Sequence, residues 1–168
     1  MDSKRTGSSA FWRFSLRFYA RPGVAPACLD LQDGAGVDVN VMLYVLFLAQ
    51  QGRLIERDEV ARLDAMARSW RDQVVQPLRT MRRQLKGSIG PLDPESSANL
   101  RADVKRIELA AERLQQETLE RLAPCASLGT QAPSRVAAAR ANLAAYGAFL
   151  GGLPQQPVAT LLEAFAAA

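Results

Sequence analysis

The stretch Asp38-Val39-Asn40-Val41-Met42-Leu43-Tyr44-Val45-Leu46-Phe47-Leu48-Ala49-Gln50 decides the fold. Asp38 is a natural N-cap, because its carboxylate accepts from backbone N–H groups that a first helical turn leaves free. From Val41 to Ala49 every residue is apolar, and Gly52 marks the end of the helix. A helix of this kind has no polar face to give to water, so other helices must surround it. The run is less than half the roughly 20 residues that span a bilayer, and no transmembrane segment is expected.

Upstream, Phe11, Phe14 and Phe18 recur at helical spacing beside Trp12, Leu16 and Tyr19, with Arg13 and Arg17 on the opposite side. This aromatic helix suits core packing better than insertion into a membrane surface, since large rings supply much of a small core's buried area. A second helix is expected to start at Pro22 and to end at Gly34 and Gly36. Downstream, residues 56–86 carry Val60, Leu63, Ala67, Trp70, Val74, Leu78, Met81 and Leu85 on one stripe, so Trp70, like Trp12, is expected in the core. Pro77 lacks the N–H that would bond four residues back, which places a kink or break near Gln73 to Gln76.

Gly87 to Pro94 is a loop, and a second long helix follows with Leu100, Val104, Ile107, Ala111, Leu114 and Leu122 as its expected stripe. The short loop makes the two long helices antiparallel neighbours. After a loop over Pro124 to Pro133 comes an alanine-rich helix with Val136, Leu143, Tyr146 and Leu150. Gly151 to Pro157 then separates a short last helix with Leu161, Leu162 and Phe165. No apolar alternation bounded by hairpin turns appears, and no fixed-period repeat. The fold class is therefore all-α: a single-domain irregular helical bundle over 1–168, with an apolar central helix and a long antiparallel pair. Residues 1–8 are expected to be flexible, and 124–168 form an alanine-rich helical extension. Alanine faces bury little area, so that extension is expected to be the least stable part.

Composition limits the chemistry. Of 168 residues, 48% are hydrophobic and 23% charged, an ordinary globular balance that needs no cofactor to fold. The absence of histidine removes Ser-His-Asp and Cys-His catalysis and every histidine-ligated metal site. The two cysteines, Cys28 and Cys125, are far apart and outside any metal-binding spacing, so both are expected to be reduced, in a cytoplasmic protein without a signal peptide. A net charge of +4 with interspersed acids permits nucleic-acid binding without favouring it.

Three polar groups stand out. Asp30, Asp33, Asp38 and Asn40 invite a cation site, but Ala35 and Val37 occupy positions where a calcium loop needs oxygen ligands, so helix capping is preferred. Glu108 and Glu112 lie one turn apart and could act as paired carboxylates, although neighbouring Arg101 and Lys105 favour an ion-paired surface. Arg79, Arg82, Arg83 and Lys86 share one side of a helix near its C-terminus, more cations than dipole compensation accounts for. They are the candidate docking site for an acidic protein partner, and reversing Arg79 and Arg82 to Glu is expected to leave the fold nearly intact.

Phe11-Trp12-Arg13-Phe14-Ser15-Leu16, Tyr19 to Val24, Cys28 to Asp33, Gly36 to Asn40, Trp70-Arg71, Val74-Val75 and Pro77-Leu78-Arg79 together resemble a family of small proteobacterial proteins classed as a domain of unknown function. The likeness covers roughly the first 120 residues and leaves out the alanine-rich tail. It implies a bacterial, cytoplasmic protein and supplies no catalytic residues. The leading functional expectation is a non-enzymatic helical interaction or accessory protein. The alternative is a binder of a small apolar or acyl ligand between the first and third helices. An enzyme using Asp30, Asp33 or Asp38 comes third.

Overall fold

The computed structural model describes residues 9–87 and 89–167, so the expected flexibility of 1–8 lies outside the described residues. Its helices are α1 (Ala10–Tyr19), α2 (Val24–Ala35), α3 (Val39–Gln50), α4 (Arg57–Trp70), α5 (Gln76–Gln84), α6 (Pro94–Leu122), α7 (Arg135–Leu150) and α8 (Gln155–Ala166). The fold is a helical bundle, as the periodicity predicts.

Helix α3 is its centre. Every residue from Val41 to Ala49 is at most 5% exposed. Asp38 caps it, its carboxylate accepting from the N–H groups of Asn40 (2.9 Å) and Val41 (3.2 Å). Phe11 of α1 packs edge-on to Tyr44 and stacks on Phe47, with ring centroids 4.8 and 5.4 Å apart. Leu31 of α2, Leu63 of α4, Leu143 and Tyr146 of α7, and Leu161 of α8 close the other sides in one continuous apolar cluster.

Buried polar side chains fix the C-terminal helices to that centre. Asn142 of α7 donates to the carbonyls of Val45 (3.1 Å) and Arg53 (3.0 Å) and accepts from the N–H of Ile55 (2.9 Å). The Tyr146 hydroxyl accepts from the Asp38 N–H and donates to the Asp38 carbonyl. Tyr44 donates to the carbonyl of Ala123, at the end of α6. The alanine-rich tail is thus held by directed hydrogen bonds rather than by buried area alone.

A two-residue antiparallel ribbon, β1 (Arg53–Leu54) with β2 (Thr130–Gln131), corrects the expectation of no strand. A pairing so short leaves no alternation to read. It is fastened where the Gly129 N–H donates to Glu59 (2.7 Å). Gly129 has φ +58°, and a Cβ there would stand 2.0 Å from the carbonyl oxygen of Leu54. Gly129→Ala is expected to cost about 2–4 kcal/mol in chemical denaturation, from backbone strain plus overpacking. An unchanged midpoint would mean that the ribbon is not seated this way.

Three further readings are corrected. Helix α2 begins at Val24 after Gly23, which takes a left-handed φ of +79°, rather than at Pro22. The long helix does not simply kink at Pro77: residues Arg71–Val75 form a π-helical turn closed by the Gln76 N–H on the Arg71 carbonyl. The turn absorbs the bond that Pro77 cannot make and re-phases the helix, so Val75 is buried while Met81 is 49% exposed. Finally, Trp70 is 38% exposed, held by its indole N–H on the Ala111 carbonyl (2.9 Å), whereas Trp12 is buried as expected.

Candidate functional site

Helix α6 turns inward a more polar face than its apolar stripe predicts. Its buried face is Val104, Glu108, Ala111, Gln115, Gln116 and Leu119, while Leu100, Ile107, Leu114 and Leu122 of the expected stripe are each at least 50% exposed. An inward face with three polar residues is stable only if each finds a partner. The partners come from α3 and α5.

On the α3 side, Asp38 starts a relay of amides. Its Oδ2 accepts from Gln115 Nε2 (2.8 Å), Gln115 Oε1 accepts from Asn40 Nδ2 (3.3 Å), and Asn40 Oδ1 accepts from Gln116 Nε2 (2.8 Å). Arg71, brought over by the π-helical turn, bonds the same Asp38 oxygen at 3.3 Å and also Asp64 (2.6 Å) and Asp72 (3.0 Å). Burial works against the Arg71 charge, but its bonds to Asp64 and Asp72 outweigh that and hold its pKa above the ordinary value. The relay ends at Gln116 Oε1, which is buried and has no hydrogen-bond partner among the described residues.

On the α5 side, Arg79 donates to Glu108 (3.2 Å) and Glu112 (2.8 Å), and Arg82 clamps both oxygens of Glu108. Glu108 is 6% exposed, which corrects the reading of Glu108 and Glu112 as a solvated surface paired with Arg101 and Lys105. The hydrogen bond to Glu108 raises the Arg82 pKa. Burial raises that of Glu112, against the pull of Arg79. A carboxyl whose folded pKa lies above its unfolded one favours folding while protonated, and that contribution is lost as pH rises through the raised pKa.

Between these two sets lies a cleft of about 530 Å³, within the ~300–1,000 Å³ range of small-molecule sites. One wall is apolar, formed by Trp12, Leu16, Tyr19, Leu29, Leu43 and Leu109; Arg79, Arg82, Lys105, Glu108 and Glu112 give it a charged side. Asn40, Ser15 and Gln116 also line it, and Ser15 Oγ, like Gln116 Oε1, is buried without a partner among the described residues. Burial raises the pKa of the Tyr19 hydroxyl, with the Cys28 and Glu112 charges adding to it, so it stays protonated and able to donate at neutral pH.

The residues singled out in the sequence divide. Asp38 and Asn40 are inside, as cap and relay; Asp30 and Asp33 are exposed, and Asp33 bonds Arg83 at 2.9 Å. Among the described residues no cluster of acidic or thiol side chains could hold a metal ion. Arg79 and Arg82 face the cleft, Arg83 lies at the surface on Asp33, and Lys86 is exposed. Cys28 is fully buried, its thiol pushed up to about 12 by burial. Sequence reading missed Ser15, Arg71, Gln115 and Gln116. Ser15 hides in an aromatic helix, and the two glutamines lie outside the apolar stripe of theirs.

Residues 10–119 match a family described as "Protein of unknown function (DUF2390)". The chain belongs to this family. The matched stretch contains every residue that lines the cleft, from Trp12 to Gln116, and ends before α7. The family's part of the chain is therefore the part that builds the cleft, while α7 packs on α3 and α8 on α2 and α7. No curated protein and no solved structure matches the chain. Among the described residues no helix is long and apolar enough to cross a membrane.

Proposed function

We propose that the chain is a non-enzymatic ligand-binding helical protein whose cleft takes a small amphipathic anion, an acyl-like body with an acidic head. The asymmetry of the cleft carries this reading. Its apolar wall can cover the body, and its charged side holds three cations, Arg79, Arg82 and Lys105, against two carboxylates, Glu108 and Glu112. Among the described residues Lys105, exposed at the cleft, makes no ion pair, and Nη1 of both arginines makes no hydrogen bond. We place the protein in the cytoplasm, a reducing compartment that suits its two free thiols.

Titration of the full chain with decanoate, followed by calorimetry, tests the reading. Lys105→Glu is expected to weaken binding at least tenfold with the unfolding midpoint unchanged, and raised salt should mimic it in part. Absence of binding, or binding indifferent to Lys105→Glu, would overturn the reading. Native mass spectrometry of protein from its own host should find a co-purifying small molecule.

A protein partner is the second reading, favoured by a separate apolar groove between α4 and α6. Met66, Trp70 and Leu114, all at least 38% exposed, line it. In that reading the acidic partner expected for the basic group would meet Arg83 and Lys86, since Arg79 and Arg82 are engaged in the cleft.

A further inference from the structure

Resting on the cleft reading above, we propose that the site selects a ligand bearing a hydrogen-bond donor, a hydroxyl or amide N–H close to the acidic head, and reads it with Gln116 Oε1. Asp38 sets the orientation of the whole relay. A carboxylate only accepts, and the four oxygen positions of Asp38 take the N–H groups of Asn40 and Val41, Arg71 and Gln115 Nε2. Gln115 must therefore turn its amide nitrogen to Asp38 and its oxygen to Asn40. Asn40 must then donate to Gln115 and accept from Gln116. Each amide fixes the next, and amide orientations that are ordinarily ambiguous become determined by one charged end. The last amide has no freedom left: Gln116, a residue that lines the cleft, spends its NH2 on Asn40 and keeps an unpaired oxygen just beneath the surface.

That oxygen is an acceptor on a residue 2% exposed, without a partner among the described residues, and Ser15 Oγ on a residue 3% exposed is in the same position. Buried acceptors left unpaired are costly, and a ligand that supplies a donor relieves the cost while one that lacks it does not. Such sites discriminate strongly against the analogue missing the donor. Arg79, Arg82 and Lys105 can only donate, so they serve the acidic head and cannot substitute for Gln116 in this task.

The test compares decanoate with β-hydroxydecanoate on the full chain by calorimetry. Wild type is expected to bind the hydroxy acid at least tenfold more tightly. Gln116→Met, which keeps the side-chain length and removes the acceptor, should bind both acids with the affinity the wild type has for decanoate. Because Gln116→Met could weaken the fold, Ser15→Ala is the companion variant, expected to lose part of the preference while unfolding at the wild-type midpoint. Equal wild-type affinities for the two acids would mean that trapped water satisfies Gln116, and would overturn the inference while leaving the cleft reading standing. A preference that survives both substitutions would also overturn it. If neither acid binds, the cleft reading falls and takes this inference with it.

Discussion

Replacing Asn142 with alanine is expected to destabilise the protein by about 3–5 kcal/mol, a large share of a typical domain's ~5–15 kcal/mol. Asn142 is fully buried, and its amide serves three backbone groups at once: the carbonyls of Val45 and Arg53 and the N–H of Ile55. Removing it leaves the Arg53 carbonyl and the Ile55 N–H without a partner in the interior, at about 1–3 kcal/mol apiece before relaxation, while the Val45 carbonyl keeps its bond within α3. Asp is expected to rescue poorly, because it can accept from Ile55 but cannot donate to either carbonyl. Urea denaturation followed by circular dichroism measures the loss. A cost below about 1 kcal/mol would mean that α7 is not bonded to α3 and the ribbon in this way.

The expectation of a weak alanine-rich tail came from counting side-chain area, and area does not register an asparagine. The same blindness explains which parts of the fold were legible. Helix α3 is readable because the burial of its all-apolar run, Val41 to Ala49, needs no partner chemistry, and the Asp38 cap follows from local backbone geometry. The end of α4 was readable only as a disturbance: Pro77 announces a missing hydrogen bond but not that a π-helical turn will absorb it, nor that Arg71 will be swung onto Asp38. Helix α6 is legible only in part. Periodicity assigns the core to the face with the most apolar residues, and of these Val104 and Ala111 are buried, yet Leu100, Ile107 and Leu114 are exposed and Glu108, Gln115 and Gln116 turn inward instead. Facing partners decide that choice, and they lie far off in sequence: Asp38, Asn40, Arg79 and Arg82. The candidate site was legible as types of residue in separate segments, and the pairing between segments was not.

That pairing reverses the expectation for the basic group. If Arg79 and Arg82 faced water, exchanging both for glutamate would leave the fold nearly intact. In the structure both are anchored on Glu108, which is 6% exposed, and Arg79 also holds Glu112. The arginine side chains are themselves only 19% and 23% exposed, so solvent screens these pairs weakly. Taking the cations away strands a buried carboxylate, a change that costs about 3–5 kcal/mol when one partner of a buried pair is lost. The double substitution Arg79→Glu with Arg82→Glu also sets two new carboxylates against Glu108 and Glu112, and like charges at this range disfavour ionisation of all of them. The expected loss is therefore at least about 4 kcal/mol at neutral pH, recovered in part as the pH falls and the crowded carboxyls protonate. Arg83→Glu is the control. Arg83 and Asp33 are 51% and 58% exposed, so breaking that pair should cost no more than about 1 kcal/mol. Urea midpoints of the three proteins at neutral and mildly acidic pH decide the matter. If the double variant unfolds within about 1 kcal/mol of wild type, the arginines point to solvent, and the charged side of the cleft is not built as described.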